Sequence, residues 1–326
     1  MRLLTLALTA MLLSAPVMAQ QQPDAAPAMP TVEQPLVIER APLSAGEPAL
    51  QGGTSMPTQP GGQEWRIFHD ETLAWVGGVS VGGILLLLIV FYLARGRIMI
   101  DGGPTGRTLQ RFNLLERANH WMVAASFILL ALSGLNVTFG RHLLLPMIGP
   151  DAFFSVARYG ALVHEYIAVP FTLGLVVMLL LWVRHSIPNR GDIAWLRMGG
   201  GLIGKGYPAA ARFNAGQKLV FWITVLGGGF VAVSGYFLIF PFSATIGFVD
   251  MQMAQMVHGI LAVLMVAAML AHIYLRTIGM EGAIDAMSTG QVDLAWAKQH
   301  HSIWVEEELA EAHRIVTPTG TRPAGD

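Results

Sequence analysis

Four histidines fall inside long apolar runs of this 326-residue chain: His120, His164, His258 and His272. Ionisable side chains are costly within a bilayer, so each of them asks for a function. His258 and His272 share one run and are 14 residues apart, which in a helix is about 21 Å of rise and within about 40° of a whole number of turns. They face the same way at opposite depths, as ligands of two haems stacked across a membrane would. Neutral imidazole suits haem iron, and two imidazoles per iron leave no open position for oxygen chemistry, which points to electron transfer. Taken singly, a membrane histidine also serves as a hydrogen bond between helices. A proton relay or a metal transporter would place acids at mid-membrane, and Glu165 is the only carboxylate the sequence embeds there. His69, His142 and His185 sit in or beside loops and read as interfacial polar residues.

The elements that must carry these histidines follow from composition. Charged residues make up only 13% of the chain and mean hydropathy is +0.53, whereas a soluble domain is about one quarter charged. The net charge of -1 gives no bulk attraction to nucleic acid. The absence of cysteine excludes disulfides, thiolate-held iron-sulfur clusters, covalently attached haem and cysteine nucleophiles. Residues 1–19 have a basic start, an apolar stretch and a small-residue cleavage pattern, and read as a secretory signal peptide; an uncleaved anchor is disfavoured because the stretch is short. Residues 20–71, rich in Pro, Gly, Ala and Gln, read as a flexible periplasmic linker. Runs at 73–94, 118–139, 159–183, 219–241 and 253–275 are each long enough to cross about 30 Å of hydrocarbon. The expected fold is all-α, an integral membrane bundle with an extra helix at 72–95, a four-helix core at 111–276 and a cytoplasmic tail at 277–326.

Charge between the runs orients them, because basic residues stay on the cytoplasmic side. Arg95, Arg97, Arg107, Arg111 and Arg117 lie between the first and second runs, and Arg184, Arg190, Arg197, Lys205, Arg212 and Lys218 between the third and fourth. The opposite loops carry only Arg141 and Arg158. The N-terminal segment is therefore expected outside and the tail from Arg276 inside. Depth then pairs His164 with His258 on the outer side and His120 with His272 on the inner side. Arg117, Arg158 and Arg184, near helix ends, are placed either to meet haem propionates or to set topology. In the tail, Trp296, His300, His301, Trp304 and the acidic stretch 306–314 read as a solvated amphipathic helix on the membrane or on a partner, since the two adjacent histidines lack a third metal ligand.

Before the fourth run, Arg212-Phe213-Asn214-Ala215-Gly216-Gln217-Lys218 sets two amides around a glycine at the membrane surface. Amides hydrogen-bond quinone carbonyls, and a glycine lets a flat ring approach backbone. The same residues also make a helix-start cap. The depth matches His272, so a quinone there would take electrons from the inner haem and protons from the cytoplasm.

Together with that loop, the segments Arg117-Ala118-Asn119-His120-Trp121, Val183-Arg184-His185-Ser186-Ile187-Pro188 with Asp192-Ile193, and Trp296-Ala297-Lys298-Gln299-His300-His301 resemble the gamma subunit of respiratory formate dehydrogenase. The resemblance covers residues 111–314. It implies a four-helix dihaem cytochrome b of the bacterial inner membrane that reduces quinone and assembles with an iron-sulfur subunit and a molybdenum- or tungsten-containing catalytic subunit. On these residues it implies two haem b groups held by His120, His164, His258 and His272, and a quinone pocket including Asn214, Gly216, Gln217 and His272, with formate oxidised elsewhere in the complex. The chain departs from the family's shorter members in its signal peptide, linker and extra first span, which preserve the topology of the core. Cytochrome b subunits of nickel-iron hydrogenase or thiosulfate reductase are the nearest alternatives, and a non-redox membrane anchor or transporter is the alternative of another class. The Asn-Ala-Gly-Gln-Lys loop and the His-His tail favour formate dehydrogenase.

Overall fold

The structure, a computed structural model, describes residues 67–202, 206–240 and 248–316. The expected signal peptide and nearly all of the expected linker lie outside the described residues. Five helices are long and apolar enough to cross a membrane, and each coincides with one of the five apolar runs. The chain is a multi-pass membrane protein.

The first span is α1 (Ala74–Arg95), continuous with a π-helical turn at Phe68–Leu73, so helix starts a few residues before the apolar run. Then come α2 (Leu114–Leu143), α3 (Pro150–Trp182) and a short surface helix α4 (Arg190–Arg197). The fourth span is interrupted by a π-helical turn at Ile223–Gly227, which divides it into α5 (Ala215–Trp222) and α6 (Gly228–Ile239). The fifth is α7 (Phe248–Thr277). Three of these helices begin with the same device at the same, arginine-rich end of the bundle. Asn113, Asn189 and Asn214 each cap the backbone N–H three residues on, and Glu116, Asp192 and Gln217 each return a side-chain oxygen to the asparagine N–H. Two otherwise orphaned donors are satisfied at each start.

Apolar faces alone do not drive helices together in lipid, so close approach and polar contacts must hold the bundle. A Cβ on Gly174 would lie 2.5 Å from Val123 Cγ2, which measures how closely α3 approaches α2. Asn119 Nδ2 donates to the Gly174 carbonyl at 3.1 Å across the same seam. The extra helix is part of this packing. Its Gly77 leaves room for Phe139, Leu73 sits on Gly259 of α7, and Phe91 and Tyr92 meet Tyr274 edge-on at 6.3 and 6.5 Å.

The tail departs from the expectation of a solvated helix. Residues 291–293 form β2 (Gln291–Asp293), which pairs antiparallel with β1 (Thr108–Gln110) just ahead of α2. After it, α8 (Leu294–His300) and α9 (Ser302–Val316) fold back under the arginine-rich end. Trp296, His301 and Trp304 are 1%, 0% and 3% exposed. Between them lies Arg111, its guanidinium 4.8 Å from the Trp304 ring and 5.6 Å from the Trp296 ring. Arg111 Nη2 donates to the Arg212 carbonyl and, at 3.1 Å, to His301 Nε2. The His301 proton is then on Nδ1, which donates to the Ala211 carbonyl at 2.8 Å. The apolar face read as a membrane or partner contact finds its surface on the chain's own loops. The acidic side, with Glu306, Glu307, Glu308 and Glu311, faces outward, together with Ile303 and Leu309.

One buried carboxylate ties this end together. Glu116 Oε1 accepts from Arg212 at 2.7 Å and from Trp182 Nε1 at 2.9 Å, while Oε2 takes the Asn113 N–H. A second ion pair, Lys218 to Asp192 at 2.9 Å, joins α5 to α4.

Candidate functional site

His164 of α3 and His258 of α7 bring their ring centroids to 6.0 Å. Both rings are fixed from behind. Ser133 donates its hydroxyl to the Leu129 carbonyl at 2.7 Å, so its oxygen accepts from His164 Nδ1 at 2.8 Å. The Val231 carbonyl, which can only accept, takes the His258 Nδ1 proton at 2.9 Å. Each ring therefore carries its hydrogen on Nδ1 and has its Nε2 lone pair available, the arrangement of a metal-binding histidine oriented by its surroundings. The pair borders a cavity of about 410 Å³ lined mainly by apolar side chains of α2, α3, α6 and α7. Glycine opens it beside the rings, since a Cβ on Gly235 would lie 3.0 Å from His258 Cε1. His69 and Leu73, from the turn before α1, complete its rim.

His120 of α2 and His272 of α7 form the second pair, with centroids 6.3 Å apart. Here the Nδ1 of His120 is buried without a hydrogen bond. Beside His272 lies a second cavity, of about 260 Å³, whose wall includes Asn214, Gly216, Arg276 and His300. Asn214 and Gln217 spend their amide oxygens on the reciprocal cap of α5, at 2.9 and 3.1 Å. Gln217 is not on the cavity wall, so the structure brings Asn214, Gly216 and His272 together without it. The flat ring that lies against Gly216 is the Trp195 indole, 3.0 Å from where a Cβ would stand.

The remaining candidates separate. Arg117 donates to the Met287 and Ser288 carbonyls, which ties its guanidinium to the segment after α7. Arg158, Arg184, His142, His185 and Glu165 are exposed, although Glu165 also reaches the rim of the larger cavity. His300, outside the spans, is held at about 4 by burial and by the Arg276 and Arg111 charges, and His301 falls well below its ordinary value for the same kinds of reason. Both are neutral at pH 7.

Residues 111–290 match the sequence model of a family described as prokaryotic cytochrome b561. The chain belongs to that family. It is 31% identical over 202 residues to the cytochrome b556(fdo) subunit of formate dehydrogenase from Escherichia coli K12, covering 61% of this chain and 93% of the relative. The nitrate-inducible cytochrome b556(Fdn) subunit of the same organism is 30% identical over 215 residues, covering 64% and 95%. A formate dehydrogenase cytochrome b556 subunit from Haemophilus influenzae is 27% identical over 205 residues, covering 59% and 80%.

Family membership implies haem b, and the residues present fit it. Among the described residues no cluster of three His, Asp or Glu side chains could hold a metal ion, so a metal between either pair needs most of its ligands from a macrocycle. The two histidines of each pair stand with ring centroids 6.0 and 6.3 Å apart, and neutral imidazole is a donor that suits haem iron. Sequence reasoning missed Ser133 and the Val231 carbonyl, because nothing in an apolar run shows which serine faces an imidazole on another helix. It also read Arg276 only as the start of the tail.

Proposed function

We propose that the chain is the membrane cytochrome b subunit of a formate dehydrogenase complex, passing electrons from a periplasmic iron-sulfur subunit through two haem b groups to membrane quinone. The observation that carries this reading is the placement of His258 and His272 on one helix, each within about 6 Å of a histidine from another helix. The relatives' names supply the complex, and a molybdenum- or tungsten-containing subunit is the proposed site of formate oxidation. When bound, the haems supply one-electron relays between the two ends of the bundle. His164 and His258 would hold the outer one with Nε2, their rings oriented by Ser133 and Val231, in a cavity lined mainly by apolar side chains. His120 and His272 hold the inner one.

The arginine-rich end is assigned to the cytoplasm of a bacterial inner membrane by the charge asymmetry of the loops. Quinone is assigned to the smaller cavity, with Asn214, Gly216 and His272 on its wall and Gln217, the next residue after Gly216, with an amide N–H₂ that no hydrogen bond among the described residues engages. An electron moved inward works against the membrane potential by about 2.3 kcal/mol per 100 mV, so part of the redox energy is conserved.

The test is to purify the native complex and add formate or hydrogen anaerobically. Formate should reduce the b haems within the turnover time of the complex. Reduction by hydrogen and not by formate would overturn the assignment of the donor.

A further inference from the structure

Arg276 is the one charged side chain on the wall of the smaller cavity among the described residues, and it is partly buried there. It lies four residues beyond His272, on the same face of α7. None of the ion pairs among the described residues includes it, and no hydrogen bond engages it. Its charge weighs on another cation, Arg111, and no carboxylate lines the cavity among the described residues. The other polar groups nearby are committed. Glu116 serves Arg212 and Trp182, Asp192 serves Lys218, and Asn214 caps α5. A guanidinium held in a largely apolar wall without a counter-charge is costly unless an occupant supplies one.

We propose that Arg276 is a substrate-binding residue of this cavity and selects a quinone ring oxygen that carries negative charge. The proposal rests on the quinone reading of the cavity given above. Quinone takes two electrons and two protons to become quinol. The electrons arrive from the inner haem and the protons from water at the arginine-rich end, while Arg276 keeps its own proton throughout. A fixed cation aimed at the oxygen where charge develops stabilises the charged stage more than the neutral quinone, and in a water-poor cavity it does so at little reorganisation cost.

Two probes separate charge recognition from shape. 2-Hydroxy-1,4-naphthoquinone is an anion at neutral pH and 2-methyl-1,4-naphthoquinone is neutral. Trp195 and Trp296 line the cavity, so quenching of tryptophan fluorescence in the purified haem-loaded complex reports binding of either. With Arg276→Gln the anionic probe should bind about tenfold more weakly or worse, the neutral probe should be nearly unaffected, and both haem spectra should persist. Arg276→Lys, which keeps the charge, should retain part of the preference. Equal loss of both probes, or no loss of either, overturns the role of Arg276 while leaving the quinone cavity in place. Unchanged probe binding with a shifted midpoint potential of the inner haem also overturns it, and assigns Arg276 to a haem propionate. If neither probe binds the unmodified complex in competition with membrane quinone, the reading of the cavity itself falls, and the proposal with it.

Discussion

The two histidine pairs are alike in spacing and unlike in setting. At the outer pair both Nδ1 protons are spoken for, by Ser133 and Val231, and the cavity is lined mainly by apolar groups, with Glu165, Gln255 and Tyr236 among them. At the inner pair a buried Nδ1 of His120 has no partner, and the adjoining cavity brings in an asparagine, an arginine and a second set of histidines. A site that only relays electrons needs fixed ligands and dry walls, whereas a site that also meets a substrate needs polar groups aimed into open space. Under the proposed function the outer pair is the relay and the inner pair stands beside the substrate.

The comparison breaks most visibly at the ligands. His164→Ala and His258→Ala should each abolish the same spectral component, and His120→Ala and His272→Ala the other, as low-temperature spectra of the reduced complex would show. Loss of different components within a pair would dissolve the pairing. The next largest effect is expected at the arginine-rich end. Glu116→Ala leaves the partly exposed Arg212 charge and the buried Trp182 N–H without their acceptor, which should cost about 1 to 3 kcal/mol. Thermal unfolding in detergent measures it, and an unchanged midpoint would show that the ion pair is not a structural keystone.

The spans, and the positions of the four histidines along them, were readable because hydropathy and helical rise are local properties that survive any packing. The three asparagine starts at 113, 189 and 214 are equally local, though only the last is read from sequence, as an amide pair for quinone or a helix-start cap. The arginine-rich end was not readable. Three-residue strands at 108–110 and 291–293 are too short to show alternation, and the apolar face of the tail looks the same whether it meets lipid, a partner or the chain's own loops. Burial of Arg111 between Trp296 and Trp304 is a tertiary fact with no trace in sequence spacing.

Smaller changes sharpen the contrast between the pairs. Ser133→Ala removes the hydrogen-bond partner of His164 and should weaken outer haem retention by about tenfold, with the inner haem untouched. Haem loss during dialysis against apomyoglobin would resolve the two. Gln217→Leu should slow reoxidation of the haems by quinone by roughly threefold to tenfold without loss of either haem, in stopped-flow traces, if its amide N–H₂ holds a quinone oxygen. A cap residue and nothing more would leave that rate unchanged and lower stability slightly.

The smallest expected effect is one of pH. His300 has a folded value of about 4 against an ordinary imidazole value of about 6.5. Between these limits the unfolded chain binds more protons, so the stability of the tail against the bundle falls as pH drops from about 6.5 towards 4. Acrylamide quenching of tryptophan in this range should increase on acidification, and less so in His300→Asn.

The central claim is that one chain holds two haems, one at each end of α7. A pyridine haemochrome assay on the purified complex, with the chain quantified by amino-acid analysis, counts them directly. Two haem b per chain is the expected result. A single haem, or a colourless and correctly folded protein, would contradict it.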